Sequence, residues 1–217
     1  SHRAIAMSTT KQIQKVVTFR ASSIGDCLMG KYLLENIHAQ YPEARLTLFV
    51  AGRGDMIRDL FAAYPWLSVV EANRNNPLAL LRAFLRCWGS DVTVTQYSGK
   101  GNEFSRGSKF FARLVTRGGG LFGFSDPFTY NALLYDIILP FLTDQAIITH
   151  ERNVLRAADL AVAMEKPSLK YVESNEVTVR FGLNGKRYII VHLFAGGKAR
   201  GVAAGYRQDL ILALRSV

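Results

Sequence analysis

Three loops hold the residues that could do chemistry in this 217-residue chain. The first reads Arg20-Ala21-Ser22-Ser23-Ile24-Gly25-Asp26. Ser22, Ser23 and Gly25 permit a tight turn whose N–H groups can face an anion or a sugar oxygen at the start of a helix. Asp26 stands at the mouth of that turn, where a carboxylate can take a proton from an attacking hydroxyl. The same aspartate can equally do no more than favour the helix start, since acidic first turns are common. The segment lacks the Gly-Lys-Ser/Thr ending of a P-loop and the Gly-x-Gly-x-x-Gly of a dinucleotide site.

The second loop, residues 97–109, sets Lys100, Arg106 and Lys109 among small residues. Such a loop can clamp the phosphates of a large anionic substrate, or it can be a solvated, mobile connection. The third is Gly196-Gly197-Lys198-Ala199-Arg200-Gly201, where glycines precede two cations ahead of a helical stretch, an arrangement that suits a pyrophosphate. His38 and His150 read as surface or capping residues, and His192 as a core histidine beside the third loop. No Asp-x-Asp pair and no cluster with metal-ligand spacing occurs, so a metal-free mechanism is expected. Cys27 reads as a small apolar residue, and Trp66, Trp88 and the phenylalanines as core.

Strands at residues 16–19, 46–50, 67–70, 92–96 and 121–124 must position these loops, with helices at 25–40, 55–64, 77–87, 109–116, 130–139 and 149–164. Pro77 suits a first helical turn. Strands that are apolar throughout, alternating with helices, indicate a parallel sheet covered on both faces, a Rossmann-like α/β domain. Residues 1–10 are set aside because Ser1–Ala6 precedes Met7 and reads as a cloning scar. The first domain is expected over residues 11–166 and a polar linker over 167–175. A second unit over 176–217 has strands at 177–181 and 188–193 and a helix near 203–215. About 45 residues do not easily bury an independent core, so this second Rossmann-like unit reads as incomplete.

Composition narrows the partners. Lys and Arg total 27 against 17 Asp and Glu, a formal net charge of +10, which favours anionic partners or simply keeps the surface soluble. No helix-turn-helix, RNP or zinc signature accompanies that charge, so nucleic acid is not the expected partner. No apolar run reaches the roughly 18 residues that cross a bilayer, and no signal peptide is evident. Two cysteines, Cys27 and Cys87, exclude a disulfide framework and fit a reducing compartment. A cytoplasmic location is expected.

Val16-Val17-Thr18-Phe19-Arg20-Ala21-Ser22-Ser23-Ile24-Gly25-Asp26 resembles the opening motif of glycosyltransferase family nine, the ADP-heptose:lipopolysaccharide heptosyltransferases. The resemblance continues through Leu33-Leu34 and Tyr41-Pro42-Glu43-Ala44, then at Ser108-Lys109-Phe110-Phe111-Ala112-Arg113 with Gly123-Phe124. It returns at residues 150–160 and at Ile189-Ile190-Val191-His192 with residues 196–200. The chain departs from that family in having Lys31-Tyr32 in place of a Thr-Pro pair, and Gly201-Val202 where a tryptophan commonly follows the basic residues.

The resemblance implies a GT-B architecture, with an N-terminal acceptor-side domain and a C-terminal donor-side domain across a cleft. It implies an inverting transfer without metal or other cofactor, from a nucleotide-sugar, ADP-heptose by default, to an anionic lipid-linked glycan of the lipopolysaccharide-core type. Asp26 is then the general base. Lys198, with Arg200 close by and Gly196 and Gly197 before them, holds the donor phosphates, while Ser22, Ser23, Gly25, Lys100, Arg106 and Lys109 face substrate. A peripheral contact with the cytoplasmic face of the inner membrane would follow from such an acceptor. Family members are longer than this chain, so residues 1–217 alone are expected to transfer no sugar. Another donor or glycan within the family, and a non-catalytic Rossmann-like binding module, remain open as alternatives.

Overall fold

The computed structural model describes residues 12–20, 23–73, 75–98, 103–170, 172 and 175–187. It divides into two compact units, Ser1–Val172 and Glu173–Val217. The elements of the first are β1 (Lys15–Arg20), α1 (Ile24–Gln40), β2 (Arg45–Val50), α2 (Gly54–Leu60), β3 (Leu67–Glu71), α3 (Pro77–Cys87) and β4 (Val92–Val94). They are followed by α4 (Arg106–Val115), β5 (Leu121–Phe124), α5 (Asn131–Leu134), β6 (Ile137–Leu139) and α6 (Ile147–Ala157).

The six strands form one sheet in the order β3-β2-β1-β4-β5-β6. Each neighbouring pair is parallel, with Val17 opposite Thr47 on one side and Thr93 on the other. Val16, Val17, Thr18 and Phe19 are all buried, as expected of a central strand covered on both faces. One face carries a core that includes Val16, Leu33, Ile37, Ile57 and Leu155, and the other a core of Val17, Phe19, Phe49, Ala83 and Ala112. α1, α2 and α6 thus cover the first face, while α3 and α4 cover the second.

Residues 130–139, expected as one helix, instead contain α5 and a sixth strand. Tyr135 leaves α5 in an extended conformation (ψ 139°), and Leu139 precedes Pro140, a position that disfavours helix. Asp136 accepts a hydrogen bond from Leu121 N (2.9 Å) and pairs with Arg113, which fixes the entry into β6. α2 stops four residues before the expected end, at Leu60, and residues 61–63 turn.

α6 also ends early. Asp159 takes a left-handed conformation (φ 57°), and Leu160 N returns to Leu155 O. Beyond it, residues 161–170 run along α1, whose polar residues hold them. Gln40 exchanges two bonds with the Ala161 backbone, and Asn36 and Tyr32 bond Met164 N and O. Glu35 accepts Ser168 N, while Lys31 Nζ donates to Glu35 (2.5 Å) and to Ser168 O (2.6 Å). Lys31, Glu35 and Asn36 are buried as a result. Lys31 and Tyr32, where the chain departs from the family, therefore both hold this strap.

In the second unit, the strand expected at residues 177–181 is instead a helix, α7 (Glu176–Arg180), with residue 181 in the turn that follows. The Val-Thr-Val content suggests a strand, yet β propensity yields readily to context. Gly182 (φ 64°) closes the helix, with Gly182 N bonded to Val179 O and Leu183 N to Thr178 O. The expected strand at 188–193 and helix near 203–215 lie outside the described residues. Among the described residues, no helix is long and apolar enough to cross a membrane.

Candidate functional site

β1 leads through α1 to β2 on one side, and the chain later crosses from β3 to β4 on the other. Between β1 and β4 the winding direction reverses, which opens a crevice at their carboxyl ends. The first turn of α1 projects there. Ser23 is its N-cap, and the Ser23 hydroxyl accepts the Asp26 N–H (3.2 Å). Gln96, just beyond β4, donates from Nε2 to Asp26 Oδ2 (3.3 Å) across the reversal point. Asp26 is half-buried and Ser23 and Gly25 are exposed, so the carboxylate is steered from the protein side while its other face is open to solvent.

Beneath this carboxylate lies a buried ion pair. Arg20, the last residue of β1, folds inward. Its Nη2 donates to Glu151 Oε1 on α6 at 2.5 Å, both side chains are 0% exposed, and its Nη1 donates to Phe19 O (2.7 Å). Gly30 makes room for it, because a Cβ there would collide with the Arg20 side chain. Arg20 Nε and Glu151 Oε2 find no hydrogen-bond partner among the described residues, nor does the Tyr97 hydroxyl. Burial pushes the Glu151 carboxyl above its ordinary value of 4.5, with Arg20 opposing the rise. Burial likewise raises the Tyr97 phenol, and lifts the Cys27 thiol to about 11. Cys27 accordingly behaves as the small packed residue its sequence context suggests.

His150, expected as a surface or capping residue, is fully buried, packed against Phe141, Phe124 and Tyr97, with Nε2 at 3.0 Å from Leu142 O. His38, in the last turn of α1, stacks on Trp66 at 4.6 Å. Trp88, expected in the core, is more than half exposed.

The predicted site residues separate into groups. Asp26, Ser23 and Gly25 come together at the crevice. Arg106 is exposed on the first turn of α4 and pairs with Glu103 at 2.5 Å. Lys109 does not face a ligand: its side chain is buried, and Nζ donates to both oxygens of Asp126 (2.8 and 2.7 Å) and to Asn131 Oδ1 (2.8 Å). A helix that begins three residues earlier than expected turns this lysine inward. Ser22, Lys100, Gly196, Gly197, Lys198, Arg200 and His192 lie outside the described residues.

Sequence reasoning missed Gln96 and the Arg20–Glu151 pair. The only sequence signal for the pair was a charged residue ending an otherwise apolar strand. A cavity of about 700 Å³ lies at the opposite edge of the sheet, bordered by Gln14, Lys15, Arg45, Trp88 and Asp91, and contains none of the predicted residues. Of its two acids, Asp91 and Glu43, Asp91 is already used, since its Oδ2 accepts the N–H groups of Gln14 and Lys15. Among the described residues, no three His, Cys, Asp or Glu side chains gather as a metal-binding group.

No protein-family model matches the chain, and no curated protein does. Solved structures do match its fold. The glycosyl transferase family 9 protein from Veillonella parvula superposes with a TM-score of 0.64 at 11% identity, covering 94% of this chain and 60% of that one. The E. coli heptosyltransferase WaaC with ADP gives a TM-score of 0.64 at 13% identity, covering 93% and 63%. The same enzyme with ADP-2-deoxy-2-fluoro heptose gives 0.62 at 12%, covering 93% and 65%. The chain therefore has the fold of these GT-B glycosyltransferases, as the resemblance in its opening motif implies, and spans 60–65% of their length.

Proposed function

We propose that this protein is a glycosyltransferase of the heptosyltransferase type, with Asp26 as its general base. The observation that carries the reading is the position of Asp26 at the reversal point of the sheet, fixed by Ser23 and Gln96, in a fold shared with family 9 glycosyltransferases. The acceptor hydroxyl gives its proton to the Asp26 carboxylate as its oxygen attacks the anomeric carbon. The bond from that carbon to the diphosphate breaks from the opposite face, so the configuration inverts. Lys198 and Arg200, with Gly196 and Gly197 before them in sequence, stabilise the departing nucleoside diphosphate without a metal ion. Ser22, Ser23, Gly25, Lys100 and Arg106 border the acceptor. ADP-heptose is the proposed donor, supported by the ADP and ADP-sugar analogue bound to the E. coli enzyme. The acceptor is an anionic, lipid-anchored glycan, which places the protein at the cytoplasmic surface of the inner membrane.

The test is Asp26→Ala in the longest form of the protein available, assayed for transfer from ADP-heptose and from a panel of other nucleotide sugars. Loss of about 10²–10⁴-fold in kcat with donor binding retained is expected for a general base. Transfer at a near-parental rate rejects the assignment and favours a binding module, and a preference for another nucleotide sugar replaces the donor.

A further inference from the structure

The outer faces of α3 and α4 carry an apolar surface that the proposed chemistry does not use. Leu78, Leu81 and Leu85 follow one another at helical spacing on α3, and Trp88 continues the line just past its end. Phe110 and Leu114 lie one turn apart on α4. All six are 49–68% exposed. The two helices pack side by side through Phe84 and Phe111, whose rings lie 5.9 Å apart, so the six residues belong to one surface. Large side chains grouped this way on the outside of a folded domain mark an interaction site.

The charges beside them say what the surface meets. α3 contributes Arg82 and Arg86 and contains no carboxylate, whereas Arg106 and Arg113 of α4 are paired with Glu103 and Asp136. Among the described residues, Arg82 and Arg86 belong to no ion pair. On the α3 wheel they sit immediately beside the leucine line. Two copies of this face brought together would oppose arginine to arginine, which disfavours a self-dimer. An anionic bilayer offers apolar chains for the leucines and phosphates for the guanidinium groups.

We infer that the α3–α4 face is a docking surface for anionic phospholipid, with Leu78, Leu81, Leu85 and Trp88 entering the headgroup boundary and Arg82 and Arg86 pairing with lipid phosphates. α3 is 11 residues long, about 16 Å, and lies along the interface without spanning it. Its amino end follows β3, at the same edge of the sheet as Asp26, so a lipid-anchored substrate would approach from that side. The inference gives a location to the membrane contact proposed above and needs none of the transfer chemistry.

The 217-residue chain is sedimented with phosphatidylcholine vesicles with and without phosphatidylglycerol, and Trp88 emission is followed in a Trp66→Phe background, where it is the remaining tryptophan. Binding that requires phosphatidylglycerol, weakens with salt and shifts Trp88 emission to the blue is expected. Leu78→Gln/Leu81→Gln/Leu85→Gln should reduce it at least tenfold. Arg82→Glu/Arg86→Glu, which removes no packing, should do the same and covers the event that the leucine variant fails to fold. Asp26→Ala should bind as the parent does, which separates this inference from the catalytic reading. No binding to anionic vesicles, binding unchanged in both variants, or a self-dimer that the leucine variant dissolves would each overturn it.

Discussion

Two of the buried ion pairs, Lys109–Asp126 and Arg20–Glu151, lie on opposite faces of the sheet and join the same kinds of groups in opposite states. Lys109 and Asp126 beside α4 form a closed network. The carboxylate accepts Lys109 on both oxygens, the N–H groups of Phe104 and Phe128, and the Asn131 amide. Arg20 and Glu151 beneath the crevice form an open one, in which Arg20 Nε and Glu151 Oε2 have no partner among the described residues. Burial raises both acids, but the hydrogen bonds to Asp126 outweigh it and leave that carboxyl below its ordinary value, whereas Glu151 stays above its own. Glu151 is fully buried with Arg20 alone to oppose the rise, whereas Lys109, Asn131 and two backbone N–H groups together hold Asp126 down. The closed pair fastens a loop. The open pair lies under the residue proposed to move a proton.

Removing one charge should affect the two pairs unequally. Asp126→Asn puts an amide N–H₂ against donors on every side, and a loss of about 3–5 kcal/mol is expected, the range for breaking a buried pair. Glu151→Gln can keep its oxygen toward Arg20 and turn its N–H₂ toward the unpartnered side, so about 1.5–3 kcal/mol is expected. Urea denaturation of the two variants measures both, and an equal or reversed order would remove the distinction.

The comparison sharpens with pH. Glu151 is raised, so its contribution is complete below 4.5 and is lost as pH climbs through the higher folded value. Asp126 is lowered, so its contribution is complete above 3.8 and is lost as pH falls through the lower folded value. The stability gap between parent and Glu151→Gln should therefore shrink on raising pH above 4.5, and the gap for Asp126→Asn on lowering it below 3.8. Gaps that move in the same direction would contradict the assignment of open and closed pairs. The smallest effect is expected at the exposed rim, where Ser23→Ala removes the α1 cap at a cost of about 1 kcal/mol, read from the same denaturation curves.

What the sequence discloses depends on how far apart the interacting residues lie. α3 and β5 occur at the expected residues because Pro77 and Asn76 open the one and the glycines before Leu121 precede the other. β6 was hidden in an apolar decad that reads equally as helix, and only Pro140 hinted at its end. Asp26 was legible because its cap, its turn and its helix are consecutive. Gln96 lies 70 residues away and Glu151 131 residues from Arg20, contacts that winding of the sheet creates and no local pattern announces. Lys109 was misread for the same reason, since its partner Asp126 lies beyond the next strand.

The strap of residues 161–170 has a consequence for biosynthesis. As the nascent polypeptide leaves the ribosome, α1 emerges with Lys31, Glu35 and Asn36 on its flank, and their partners at Met164 and Ser168 follow more than 120 residues later. Until then the helix that bears Asp26 has a wet side, and the amino-terminal unit cannot mature in the order in which it is translated.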